Sequence, residues 1–213
     1  MKYKLIIFDM DGLMFDTEKI YYETWFKFQD KYAFTFNEER RKKFTGKNEA
    51  GIRDELVNLL GSLDKVKSLR KDLEADRIES LKSYRGSIKK EGLDDLLEFL
   101  RAEKIKCALA SSNDRKKIDL LLKKENIYDY FDFIISGENV EKSKPDPEIF
   151  VKAKDAFEFS NEECLILEDS YNGYKAAQKS AMDYLIIHDS SFDKYFTADR
   201  EVDNLRSVIA YIK

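Results

Sequence analysis

The chain has 213 residues, 43% hydrophobic and 38% charged, enough apolar material for a sizeable core, which excludes a disordered chain or a mini-protein held by staples. Its 38 basic and 42 acidic side chains leave a net charge of −4, with no basic excess to meet a nucleic acid or a membrane surface. No apolar run approaches the roughly 20 residues of a membrane helix.

The opening stretch, MKYKLIIFDMDG, carries the first strand, KLIIF (4–8). It is too short, and meets acidic residues too soon, to act as a signal peptide, so a cytoplasmic location is expected. From Thr17 to Lys82 the pattern turns helical: Tyr21, Trp25, Phe28 and Tyr32 share one face, and Ile52, Leu56 and Leu59 another. A connection this long is a subdomain rather than a loop. Residues 18–82 hold 15 basic and 13 acidic side chains, so their charge is +2 while the rest of the chain is acidic. The sequence therefore predicts an α-helical cap over 17–82, inserted into an α/β core built from 1–16 and 83–213.

The core then alternates. Leu93, Leu96, Leu97 and Leu100 recur at helical spacing, followed by the strand KCALA (106–110) with Cys107 inside it. Ile118, Leu121 and Leu122 mark the next helix, and FIIS (133–136) the next strand. Pro147 suits a first helical position behind Asp146 as N-cap. The strands CLILE (164–168), holding Cys164, and YLII (184–187) follow, with His188 on a surface loop after the last. Continuous apolar strands suit a parallel sheet covered on both faces, and the alternation predicts a doubly wound, Rossmann-like α/β fold. One histidine and two buried cysteines without a CxxC pair leave too few ligands for a structural zinc site, and a Ser-His-Asp triad or two-histidine metal site can hardly be built.

In such sheets ligands bind beyond the carboxyl ends of the strands. The polar residues standing there are Asp9, Asp11 and Gly12; Ser111, Ser112 and Asn113; Lys144, held extended by Pro145; and Glu168, Asp169 and Ser170. The two aspartates lie two residues apart on an extended segment and point the same way, which makes the site costly without a cation.

The four segments FDMDGLMFDT (8–17), ALASSN (108–113), KSKPDPEIF (142–150) and LEDSYNGYKAA (167–177) resemble the four motifs of the haloacid dehalogenase superfamily. The resemblance is to its phosphatase branch with a helical cap after the first motif, near β-phosphoglucomutases and phosphoglycolate or sugar-phosphate phosphatases. It implies Asp9 as nucleophile and Asp11 as general acid and base. It also implies Mg²⁺ held by the Asp9 carboxylate, the Asp11 main-chain carbonyl and Asp169, with Glu168 as a nearby carboxylate. Lys144 and Ser111 would bind the phosphoryl group, with Ser112 or Asn113 able to share or replace the part of Ser111. Substrate choice is expected in the cap, with Thr17, Tyr21, Trp25, Lys47 and Arg53 as candidates. Thr17 is equally an N-cap, Tyr21 and Trp25 equally ordinary packing, and Lys47 equally a solvated lysine.

Two departures bear on activity. Where β-phosphoglucomutases carry a histidine and an arginine in the cap, this chain has Tyr21 and Glu49, which leaves phosphate-ester hydrolysis as the expectation and a phosphomutase as the alternative. A receiver-like phosphoacceptor or a binding protein is the rival from another class, but a receiver has no helical insertion. The expected partner is a small phosphorylated metabolite, and the expected state a monomer.

Overall fold

The computed structural model describes residues 1–44, 49–188 and 196–213. Among these, β1 (Leu5–Phe8), β2 (Lys106–Ala110), β3 (Phe133–Ile135), β4 (Cys164–Glu168) and β5 (Asp183–Ile186) form one parallel sheet in the order β3-β2-β1-β4-β5. Every β1 residue is buried, which is why its run is continuously apolar rather than alternating. Leu5, Ile7, Ala108, Ala110, Ile135, Cys164, Ile166 and Ile186 share one core cluster. Packed against them are α7 (Glu148–Asp155) and α8 (Tyr171–Ser180), through Ile149, Phe150, Ala176 and Ala177. The alternate residues Ile6, Phe8, Leu109, Leu165 and Leu167 point the other way and are equally buried. The remaining core helices are α5 (Leu93–Ala102), α6 (Arg115–Lys124) and α9 (Leu205–Ile212).

The doubly wound α/β fold is as expected, with local differences. The third strand stops at Ile135, because the Asn139 carboxamide takes the Ser136 N–H at 3.0 Å. The last strand runs one residue earlier than YLII, over Asp183–Ile186. Pro147 is itself the N-cap of α7, and the Asp146 carboxylate accepts the Glu148 N–H at 3.1 Å. His188 is half-buried rather than on the surface: its ring packs 4.7 Å from that of Phe196, and its Nε2 lies 3.1 Å from Glu201 Oε1.

The chain divides into two compact units, Met1–Asp16 with Ser87–Lys213, and Thr17–Gly86. The second contains α1 (Glu18–Tyr32), α2 (Glu38–Phe44), α3 (Glu49–Leu60) and α4 (Leu63–Ser83). Its core joins Phe34, Phe36, Leu56, Val66, Leu69 and Leu73, with Trp25 packed against them. Within the first unit the outgoing and returning segments are pinned together. Asp16 N–H donates to Ile88 O and Lys90 N–H to Met14 O, both at 2.8 Å. Buried Glu125, at the end of α6, accepts from Ser87 Oγ at 2.6 Å and from Ile88 N–H at 3.2 Å. Among the described residues no helix is long and apolar enough to cross a membrane.

Candidate active site

In chain order the sheet grows from β1 through β2 to β3, then returns to lay β4 on the other side of β1. The switch point therefore falls between the carboxyl ends of β1 and β4, where such sheets bind ligands. Asp9 leaves β1 there, its N–H donating to Leu167 O at 3.0 Å, and is only 8% exposed. The Lys144 ammonium, on a side chain 7% exposed, donates to Asp9 Oδ1 and, at 2.9 Å, to Glu168 Oε1. Glu168 is fully buried, and its other oxygen accepts the N–H groups of Asp169 and Ser170 at 2.7 and 2.6 Å.

Two glycines let these acids approach the backbone. Gly12 turns the chain with φ +81°, and a Cβ there would fall 2.1 Å from Asp169 Oδ2. Gly173, in the first turn of α8, would carry a Cβ 1.7 Å from Glu168 Oε1. Any side chain at either position displaces a carboxylate of the site.

Asp9, Glu168 and Asp169 each offer a carboxylate oxygen, and the three oxygens lie within 4.8 Å of one another. Burial pushes the Asp9 carboxyl up to about 7, helped by the charges of Glu168 and Asp11 and opposed by Lys144. Burial also pulls the Lys144 ammonium down, but Asp9 and Glu168 outweigh it and hold it charged. Three carboxylates against one ammonium leave an excess of negative charge. The donors are hard oxygens only, while Cys107 and Cys164 are buried within strands. This donor set fits a hard divalent cation.

A second group stands at the end of β2. Ser111 is buried, and its Oγ accepts from the Asn113 N–H at 3.2 Å and from Asn113 Nδ2 at 2.9 Å. The same Nδ2 donates to Asp11 Oδ2. Asn113 Oδ1 accepts from Lys117 Nζ at 2.6 Å, and that ammonium lies 3.7 Å from Asp11 Oδ2. The cap of α6 is Asp114, which accepts the Lys117 N–H at 2.8 Å, so Ser111 is not its cap. Ser112 is exposed on the same loop.

The sequence profile of haloacid dehalogenase-like hydrolases matches residues 6–187. The chain belongs to that family. It is 29% identical over 187 residues to a phosphorylated carbohydrates phosphatase of Thermotoga maritima, covering 86% of this chain and 85% of the relative. It is 26% identical to a β-phosphoglucomutase of Bacillus subtilis, covering 84% and 80%. Among solved structures, a predicted phosphoglycolate phosphatase of Haemophilus somnus 129PT superposes with a TM-score of 0.85 over 100% of this chain and 99% of the other, at 16% identity. That last likeness speaks for the fold alone.

In this haloacid dehalogenase-like hydrolase, the core brings Asp9, Lys144, Glu168 and Asp169 into one cluster and Asp11, Ser111 and Asn113 into another. The cap candidates belong to the helical unit. Thr17 is buried at the N-cap position of α1, and its carbonyl accepts the Tyr21 N–H at 3.0 Å. Tyr21 is buried, with the Arg77 guanidinium 4.6 Å from its ring centre. Trp25 stacks on Phe36 at 4.9 Å and 10°, as a packing residue. Arg53 is exposed beside Asp54, and Lys47 lies outside the described residues. Sequence reasoning missed Lys117. The signal was present: it opens the buried stripe Lys117, Ile118, Leu121, Leu122 of α6, a position where an apolar residue is the rule.

Proposed function

We propose that this hydrolase is a Mg²⁺-dependent phosphomonoesterase acting on a small phosphorylated metabolite, of the sugar-phosphate class, through an aspartyl-phosphate on Asp9. The observation that carries the reading is the Asp9–Lys144 pair, buried at the switch point beside Glu168 and Asp169. A carboxylate that attacks a phosphate dianion needs cationic charge beside it, and Lys144 supplies part of that charge. The names of the Thermotoga and Bacillus relatives point to the same substrate class.

In the first half-reaction an Asp9 oxygen bonds to phosphorus as the ester P–O bond breaks, and Asp11 gives its proton to the departing oxygen. In the second, water attacks the aspartyl-phosphate, Asp11 takes the proton, the bond to Asp9 breaks, and inorganic phosphate leaves. Ser111 and the main-chain N–H groups around Met10 and Asp11 bind the phosphoryl oxygens. Asp9, Asp169 and the Asp11 main-chain carbonyl would hold Mg²⁺, which would supply charge neutralisation there. Glu168, with its oxygens engaged by Lys144 and two N–H groups, orients Lys144 and Asp169.

Phosphate release from a panel of phosphorylated metabolites, with Mg²⁺ or chelator, tests the reading. A metal-dependent signal with a preferred sugar phosphate is expected, and no release from folded protein would overturn it. The relative named as a phosphomutase supports one alternative. Isomerised sugar phosphate appearing faster than free phosphate, with a bisphosphate activator present, would establish that instead.

Metal binding should also depend on pH. The folded Asp9 carboxyl holds its proton up to about 7, against 3.8 for an ordinary aspartate. On this account the metal-free fold loses stability as pH rises between those values. Below about 7 the proton competes with the cation. The apparent Mg²⁺ affinity is therefore expected to fall by up to about tenfold per pH unit there and to level off above. Titration calorimetry from pH 5.5 to 8 checks this, and a flat affinity across that range would contradict it.

A further inference from the structure

We propose that Lys117 is a positioning residue for the general acid: by fixing the Asn113 carboxamide, it holds the Asp11 carboxylate apart from the Asp9–Glu168–Asp169 cluster, where a leaving-group oxygen can take its proton. The inference rests on the phosphatase reading of Asp11 and adds a residue that reading does not use.

Lys117 lies in the first turn of α6, on the same buried face as Ile118, Leu121 and Leu122, and is 7% exposed. A lysine on an apolar stripe is costly unless its ammonium is held. Here it is held at Asn113 Oδ1, 2.6 Å away, with Asp11 Oδ2 at 3.7 Å.

An ammonium only donates, so it dictates which way round the carboxamide sits. The Asn113 oxygen must face Lys117, and the NH₂ group then faces Asp11 Oδ2 and Ser111 Oγ. A reversed amide would set its oxygen against the Asp11 carboxylate, a repulsive contact. One buried cation thus sets the polarity of every side-chain contact that Asn113 makes with the two motif residues.

Separation is what an acid so close to the nucleophile requires. Asp11 lies two residues from Asp9 on an extended segment, so both carboxylates start from the same side of the chain. Drawn in toward Asp9, the Asp11 carboxylate would join the acidic cluster instead of facing a leaving-group oxygen. Among the described residues, the carboxylates that gather within 4.8 Å are Asp9, Glu168 and Asp169, without Asp11. The Asp11 side chain remains 35% exposed, within reach of a substrate.

The test compares kcat/KM for phenyl phosphate and p-nitrophenyl phosphate, similar in shape but not in need of an acid. Phenolate, like tyrosinate, is the conjugate base of an acid of pKa about 10 and leaves poorly unprotonated; nitrophenolate leaves readily. Lys117→Met keeps the length of the side chain and removes its charge and donors. It is expected to lose about a hundredfold on phenyl phosphate and roughly tenfold less than that on p-nitrophenyl phosphate. Lys117→Arg should recover most of the loss. Asn113→Ala should reproduce the selective pattern, and the double variant should lose no more than the worse single one.

Equal loss on both esters, or a rise in KM alone, would overturn the proposal and make Lys117 an attractor of the phosphate dianion. Asp11→Asn is the reference: if it shows no selective loss, the general-acid reading falls, and the positioning role with it. If circular dichroism finds Lys117→Met unfolded, the half-exposed Asn113→Ala carries the comparison by itself.

Discussion

Replacing Asp9 by asparagine is expected to lower kcat by about 10⁴-fold or more, while the protein melts close to the wild-type temperature. The amide oxygen of asparagine still accepts the Lys144 ammonium, so the contact at the sheet edge survives. What disappears is the anionic oxygen that bonds to phosphorus in the proposed mechanism. The charge removed is one that burial already opposes, since the Asp9 carboxyl is pushed up to about 7, so the cost in stability is small. Steady-state turnover on the best substrate measures the first effect. Acid-quenched protein after exposure to radiolabelled substrate should carry label in the wild type and none in the variant. A variant that turns over like the wild type would remove Asp9 as nucleophile, and with it the aspartyl-phosphate.

Much of this architecture was legible because burial on both faces of a parallel sheet leaves a simple mark. KCALA and CLILE are strands over their full expected lengths, since nothing local competes with the ladder. At the end of β3 a single hydrogen bond decides: Asn139 takes the Ser136 N–H, and the strand ends one residue before the expected FIIS. His188 was misplaced because its burial comes from Phe196 and Glu201, residues no local pattern connects to it. At the site, Lys144 was a candidate for its place in the loop after β3, and Asp9, Glu168 and Asp169 because each stands where a strand ends. Lys117 does not, lying in the first turn of a helix. Its burial is visible only as a lysine in phase with the apolar stripe Ile118, Leu121 and Leu122, and its proposed role only once Asn113 and Asp11 are in place. Glu125 is similarly silent in sequence, for its partners Ser87 and Ile88 lie 38 and 37 residues away.

Lys144→Met is expected to destabilise the metal-free protein by about 3–5 kcal/mol, the cost of removing one partner from a buried ion pair. The side chains left behind are Asp9 and Glu168, whose side-chain exposures are 12% and 1%, and neither can turn to water. The deficit should depend on pH in a definite direction. The Asp9 carboxyl is already raised by burial and Glu168, with Lys144 acting against that rise. Without the lysine it rises further, so the unfavourable charge is absent in acid and appears as pH increases. The variant should therefore melt nearest to wild type at pH 5 and furthest from it at pH 8. Mg²⁺ should recover part of the loss, because a divalent cation supplies the missing counter-charge. Activity should not follow if Lys144 binds the phosphoryl group as proposed, and kcat/KM is then expected to fall by about 10²–10³-fold even with the metal saturating. Melting curves in chelator and in Mg²⁺ at the two pH values separate these effects. An unchanged melting temperature in chelator at pH 8 would mean that Asp9 and Glu168 do not need Lys144 as their counter-ion, and that the charge balance drawn for this site is wrong.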